Sequence, residues 1–468
     1  MAMHIVIGTL ALEQPGGTET YCLTIARELE RLGHDVTIVA SALGAMADHI
    51  AAEGLDVATS FAELPSCCDA ILANDAISAG LLRERYPDNR IVYALHSSRF
   101  EVQTPPFEAD VVQAIVVGSE RFARHARSLA LDAQVIRLTQ PIDILRFVPS
   151  TPPRSTPQRA LIVSNYLEGP RLDALLQTWE ALGLECSLLG HSFGDKGRVT
   201  LDVRDEIVGA DIVVAKARAA LEAMACGKAV YVFDAFGGDG WVTPDSYPAM
   251  EADNFGGLSS PFPVDRSRLE ADLKEYDADM GWVNRDLVAL HHDAREHVVK
   301  LLEVLRGPSP TRVVAGSNPG AVARSLRNSW LTQRRGEQAM REAAEAVELA
   351  SQLRSELAAA RDELRSQAQV LEAAGVANEA LSHEFRVEAE RRYEELERLF
   401  EQEVAELRAQ VTALQAETGC IAAECDALRT HANTVDEELD AANGLLASRR
   451  VRWALWLGRH YDQLRTRS

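Results

Sequence analysis

From Met3 to about Pro149, short runs of β-branched and aliphatic residues alternate with stretches whose apolar positions recur every three or four residues. HIVIGTL, DVTIVA, DAILAN, RIVYALH and AIVVGS carry the strand pattern, and TYCLTIARELERLG, between the first two, carries that of a helix with one apolar face. Strands separated by helices in this order make βαβ units, so the segment predicts a parallel sheet with right-handed crossovers. The alternation stops at STPPRSTPQR, residues 150–159, where Pro, Ser and Thr mark a linker. It resumes with ALIVSNY, a helix through LDALLQTWEALG, CSLLG, DIVVAKA, a helix through RAALEAMACG, and AVYVFD. The expected fold class is therefore α/β, with two doubly wound, Rossmann-like domains over residues 1–149 and 160–306. Open parallel sheets bind ligands at the carboxyl ends of their strands, so the functional site is expected in the cleft between the two domains.

Beyond Arg306 the pattern changes. GPSPTRVVAGSNPG opens a second linker, residues 307–334, and from Arg335 the chain is rich in Ala, Glu, Leu and Arg with almost no Gly or Pro. A heptad seam runs from Phe400 through Val404, Leu407, Val411 and Leu414 to Leu439, Ala442 and Leu446, which predicts a coiled coil over 335–447. An earlier frame through Leu353, Leu357 and Leu364 meets it out of phase near Glu390, where a discontinuity is expected. A helix with such a seam self-associates by default; folding back on itself is the alternative. The last residues, 448–468, interleave Arg449, Arg450, Arg452 and Arg459 with Trp453, Trp456 and Tyr461. Such a basic amphipathic tail suits peripheral contact with an anionic membrane face, and equally suits packing on a partner.

Charge and cysteine usage narrow the function classes. The net charge is −22, and roughly two thirds of it falls between Arg335 and Ala447. A chain without a long basic stretch is a poor ligand for a polyanion, so nucleic acid is not expected as a partner. The seven cysteines are scattered, without CxxC pairs or histidines at ligand spacing, and read as reduced thiols of a cytoplasmic protein rather than as a metal site. No apolar run reaches the length of a membrane span.

Gly16, Gly17, Thr18 and Glu19 form a glycine loop between the first strand and the first helix. Such a loop lets the backbone approach a ligand, and the helix end offers free N–H groups to an anion such as a diphosphate; a tight turn without function looks the same. The longer run GGTETYCLTIARELERLGHDVTIVA resembles the opening of the retaining nucleotide-sugar transferases of glycosyltransferase family 4, where a GGxE loop precedes the first helix and a GHxV turn enters the second strand. VVGSERFARH, PIDILRFVP and RAALEAMACGKAV resemble further segments of that family, in the same order, so the resemblance covers residues 4 to about 305. It implies the GT-B architecture, a nucleotide-diphosphate sugar as donor, a glycan or lipid-linked acceptor, transfer with retention at the anomeric carbon, and no metal or other cofactor.

The resemblance also implies site residues. Gly16 and Gly17 would donate backbone N–H groups to the diphosphate, with Glu19 beside them. Arg171 is the nearest match to the family's basic pair, whose lysine is missing here; Lys216 or Arg218, opening the helix before Glu222, is expected in its place. Glu222 matches the glutamate that accepts the ribose hydroxyls of the donor. The family's partner glutamate, eight residues earlier, is Val214 in this chain. His96 matches a histidine near the reacting sugar and is expected to donate a hydrogen bond. FGGDGWVTPD, residues 236–245, is expected either over a base or sugar or as a loop with a buried Trp241, and Asp277 to Asp279 are expected as surface charge flanking a helix. The reading is a glycosyltransferase of cell-envelope or polysaccharide synthesis, oligomeric through its coil. The rival is a scaffold that keeps the fold and has lost transfer with Val214; a nucleotide-sugar epimerase would need more cleft carboxylates than the sequence offers.

Overall fold

The computed structural model describes residues 2–98, 100–106, 111–150, 154–260, 265–308 and 319–373, and six single residues between 387 and 409. The chain divides into two compact units after Arg324. In the first unit, β1 (His4–Leu12), α1 (Gly17–Arg31), β2 (Asp35–Leu43), α2 (Ala45–Ala52), β3 (Asp56–Ala58), β4 (Ala70–Ala73), α3 (Ala76–Arg85), β5 (Ile91–Leu95), β6 (Ala114–Val117), α4 (Glu120–Ser128) and β7 (Gln134–Arg137) make a seven-stranded sheet in the order β3-β2-β1-β4-β5-β6-β7. Every pairing in it is parallel. The inner strands β4 and β5 are apolar on both faces, without an exposed residue, because helices cover both sides.

The second sheet is built from β8 (Arg159–Val163), α5 (Gly169–Ala181), β9 (Glu185–Leu189), α6 (Arg204–Gly209), β10 (Ile212–Ala215), α7 (Ala217–Ala225), β11 (Ala229–Asp234) and β12 (Gly237–Trp241), in the order β12-β11-β10-β8-β9. β12 runs antiparallel to β11. It lies in the glycine-bearing stretch 236–245, expected either over a base or sugar or as a loop with a buried Trp241. Trp241 anchors it in the core, its ring 5.0 Å from Tyr231 and its Nε1–H donating to the Asp272 carbonyl at 2.6 Å. α8 (Tyr247–Ala252), α9 (Arg266–Lys274) and α10 (Met280–His291) close this half. Asp277 and Asp279 are exposed just before α10.

The chain then returns. α11 (Ala294–Leu305) puts Val298, Leu301, Leu302 and Leu305 into the same apolar cluster as Ile25 and Leu29 of α1, so it covers the first sheet although it follows the second. By packing, α11 belongs with the first sheet. The two crossings run side by side: Ile142 N–H donates to the His292 carbonyl at 2.7 Å and Ala294 N–H to the Ile142 carbonyl at 3.0 Å. His292 and His297 are buried there. Each ring places Nδ1 on a backbone carbonyl, Gln140 and Thr139, both at 2.8 Å, so Nδ1 carries the proton and Nε2 is left to accept from a tyrosine hydroxyl, Tyr247 at 2.9 Å and Tyr21 at 3.4 Å. Burial pushes both imidazoles down to about 4.

α12 (Pro319–Ala373) is one helix of 55 residues, so helix begins inside the stretch expected as linker 307–334. Its first turn packs on α3, where Gly80 allows the approach: a Cβ there would lie 2.6 Å from Ala323 Cβ and 2.9 Å from the Pro319 carbonyl. The coiled-coil seam from Phe400 and the basic tail lie outside the described residues. No described helix is long and apolar enough to cross a membrane.

Candidate functional site

In the first sheet the order reverses between β1 and β4, and in the second between β10 and β8, so the loops leaving these strands diverge and open a crevice in each half. Both crevices contribute to one cavity of about 230 Å³. Pro15, Gly16, Gly17 and Thr20 line it from the first half; Ser164, Tyr166, Lys216, Arg218 and Glu222 are among its lining from the second.

Two helix starts meet there. Gly16 caps α1 in extended backbone and Lys216 caps α7, neither with a side-chain hydrogen bond. By contrast α3, which also starts at the first switch, is closed by Asp75 accepting from Ser78 N–H at 2.8 Å. The first-turn N–H groups of two convergent helices that no N-cap side chain closes, apart from those of Ala217 and Glu19, which have partners within the protein, form a positive, donor-bearing surface suited to an anion. The two glycines differ in their reason. A Cβ on Gly16 would lie 2.4 Å from Glu19 Oε2, because that carboxyl folds back over the loop, and burial raises it to about 7. A Cβ on Gly17 would meet nothing within 4 Å and would stand in the open cleft.

β10 and α7 are joined by Lys216 alone. Its ammonium pairs with Asp234, a buried carboxylate at the end of β11, and lies 4.5 Å from the centre of the Tyr166 ring. The turn is so short that Ala217 takes a left-handed φ of 49°, with its N–H on the Phe255 carbonyl at 3.0 Å. This brevity also explains Val214. Eight residues before Glu222 falls inside β10, where Val214 is fully buried and pairs with Ile162 and Tyr231. A glutamate there would point into the core, so the position is no cleft site at all.

Arg218 and Glu222 are buried as a pair, Nε to Oε1 at 2.8 Å, and the same guanidinium donates to the Pro141 carbonyl at 3.0 Å and to Thr24 Oγ1 on α1 at 2.5 Å. Arg218 thus ties α7 to the crossing and to the first half. Burial raises the Glu222 carboxyl above its ordinary value and Arg218 opposes the rise. Arg171 does not join the cavity. It donates to the carbonyls of Asp234 at 3.1 Å and Gly237 at 3.2 Å and covers the Phe233 ring, which makes it a brace for the β11–β12 turn.

His96 ends β5 and lines a separate small pocket with Tyr21, Pro141 and His297. Asn74 Nδ2 donates to the Gly8 carbonyl at 3.0 Å, so its Oδ1 faces His96 and accepts from Nε2–H at 2.8 Å. The ring is neutral, held down to about 3 first by burial and then by Arg218 and His297. The ring thus donates from Nε2 to Asn74. Among the described residues no group of acidic, histidine or cysteine side chains is arranged to hold a metal ion.

Tyr166, Asp234, Thr24 and His297 were not singled out in the sequence. Asp234 carried a signal, a carboxylate closing an otherwise apolar strand; the others depend on contacts between residues far apart in the chain.

No protein-family model and no curated protein matches the sequence. Solved structures similar to this chain include a glycosyltransferase from Rickettsia africae, 14% identical, spanning 65% of this chain and 98% of its own, with a TM-score of 0.47. Another is an α-glucosyltransferase in complex with UDP and a 13-mer DNA containing a central A:G mismatch, 14% identical over 65% of this chain and all of its own, TM-score 0.46. A third is the pneumococcal O-GlcNAc transferase GtfA with UDP and GlcNAc, 8% identical over 65% and 98%, TM-score 0.45. At these values the likenesses carry neither a mechanism nor a ligand across.

Proposed function

We propose that the chain is a glycosyltransferase that takes a sugar from a nucleotide-diphosphate donor held between α1 and α7 and transfers it, with retention and without a metal, to a glycan or lipid-linked acceptor. The observation that carries this reading is the convergence of two helix N-termini without side-chain caps, α1 at Gly16–Gly17 and α7 at Lys216–Arg218, on one cavity at the carboxyl edges of both sheets. In such a transfer the bond from the anomeric carbon to the phosphate oxygen breaks, its electron pair stays on the diphosphate, and a new bond forms to the acceptor oxygen, whose proton passes to the departing diphosphate oxygen. Charge develops on the diphosphate, so N–H groups fixed in advance stabilise the transition state more than the ground state. Lys216 adds a cation at the edge of that position. Glu222, at the cavity wall, has its Oε1 on Arg218 and offers its other oxygen to the ribose diol. His96 positions Asn74 rather than touching the donor. The coil as an oligomerisation element, the tail as a peripheral membrane contact on the cytoplasmic face, and a role in envelope or polysaccharide synthesis belong to the same proposal.

The scaffold reading is favoured by one observation: the charges at the α7 start are paired within the protein, Lys216 with Asp234 and Arg218 with Glu222. Calorimetry separates the two. The full chain, titrated with UDP, GDP, ADP and dTDP and then with their sugars, in EDTA and in magnesium, should bind one nucleotide saturably and equally in both buffers. A folded chain that binds none of them is the scaffold.

A further inference from the structure

We propose that Tyr166 and Phe236, seated on Lys216, form a stacking platform for the ring of the transferred sugar, an inference that rests on the donor reading above. The platform is assembled from the core outward. Ser164 Oγ, at the end of β8, accepts from the N–H groups of Tyr166 and Leu167, both at 3.0 Å, and donates to Asp234 Oδ1 at 2.6 Å. Leu167 is fully buried, so the loop is pinned on one side while Tyr166 is held up at the cleft. The other oxygen of Asp234 takes the Lys216 ammonium, which lies 4.5 Å from the Tyr166 ring centre and 5.1 Å from that of Phe236. The two rings stand 6.2 Å apart, tilted by 52°. One buried carboxylate thus fixes both a cation and, through it, two aromatic side chains.

Each ring residue keeps 48% of its surface open. The occupant follows from the order of groups along α7. Glu222 lies five residues beyond Ala217, about 7.5 Å down the helix axis at 1.5 Å per residue. With the ribose at Glu222 and the diphosphate at the helix starts, the group on the far phosphate lies past the N-terminus of α7, where Lys216 and Tyr166 line the same cavity. That group is the sugar; the base hangs from the ribose on the Glu222 side. A pyranose presents a face of C–H bonds that stacks on an aromatic ring while its hydroxyls stay in water. In this chain an aromatic surface stands beside the start of α7, and Lys216 is its positioning residue.

The test compares each nucleoside diphosphate with its sugar: UDP with UDP-glucose and UDP-N-acetylglucosamine, GDP with GDP-mannose, ADP with ADP-glucose, dTDP with dTDP-glucose. Titrations use full-length wild type and the Tyr166→Ala, Phe236→Ala and Tyr166→Phe variants, with thermal melting as the check that each is folded. The sugar should tighten binding to the wild type, and each alanine variant should weaken the donor by roughly threefold to tenfold while leaving the diphosphate within about twofold. Tyr166→Phe should keep the wild-type ratio. Equal losses for donor and diphosphate, or no loss of donor affinity, would overturn the platform while leaving the donor reading intact. Failure of every diphosphate to bind folded wild type removes both.

Discussion

Replacing Arg218 with methionine is the perturbation whose outcome the structure fixes most fully. The side chain is 7% exposed and makes three contacts, with Glu222, the Pro141 carbonyl and Thr24. Methionine fills much of the same volume and makes none of them. Glu222, 6% exposed, is then left as a buried carboxylate without its cation, a change that typically costs about 3–5 kcal/mol. In a unit of this size that lowers Tm by on the order of 5–10 °C. The cost should depend on pH. Burial already raises the Glu222 carboxyl and Arg218 opposes it, so removing the arginine raises it further. A carboxyl with a folded value above its unfolded one stabilises fully below the unfolded value and loses that contribution as pH rises through the folded one. The deficit against wild type should therefore be larger at pH 8 than at pH 5. Adding Glu222→Leu should recover most of the loss, because a buried pair exchanged for apolar side chains is often neutral. Urea unfolding of wild type, Arg218→Met and the double variant at both pH values provides the readout. A single variant within about 1 kcal/mol of wild type at pH 8 would refute the role of Arg218 as the tie between the two halves.

Other perturbations test separate parts of the fold. Between pH 6 and about 4, the unfolded chain protonates His292 and His297 while the folded one does not, so unfolding free energy should fall by about 3 kcal/mol per pH unit from these two groups; His297→Gln should remove about half of that slope, and an unchanged slope would contradict it. Gly16→Ala should force the Glu19 carboxyl off the loop and into water, so its titration midpoint, read by carbon NMR, should drop from about 7 by at least about one unit; an unmoved midpoint would mean burial is not its cause. Gly80→Val should lift the first turn of α12 from α3 and speed amide exchange at Ala323 and Arg324 by about tenfold or more, and unchanged exchange would show that the contact holds nothing.

The parts of this chain that could be read in advance are those set by local pattern. β1, β2, β5 and β10 follow from β-branched runs, and the Gly16–Gly17 turn from glycines between a strand and a helix. β12 was missed because GGDGW has little strand propensity; pairing with β11 and the burial of Trp241 override it. α11 reads as the last helix of the second half, and only its apolar face, matched to α1, sends it to the first. The spacing from Glu222 to Val214 is legible in the sequence, but the one-residue connection between β10 and α7, which keeps that position inside the sheet, is not. Arg171 looked like a cleft cation by its place after β8. Its partners, the carbonyls of Asp234 and Gly237, are more than 60 residues away and leave no local trace. The tie from Arg218 to Thr24 spans 194 residues and is equally silent in the sequence.

The central claim is that the cavity between α1 and α7 holds the nucleotide diphosphate. Gly17 lines that cavity, and a Cβ there meets no atom within 4 Å, so Gly17→Leu should fold with little change in Tm while narrowing the space. Calorimetric titration of wild type and Gly17→Leu with UDP, GDP, ADP and dTDP tests the claim most directly. Saturable binding of one diphosphate to the wild type, weakened on the order of 100-fold or more in the variant, is the predicted result, since a side chain in the site blocks access to its N–H donors and takes up its room. Equal affinity in the two proteins, or no binding to either, would contradict it.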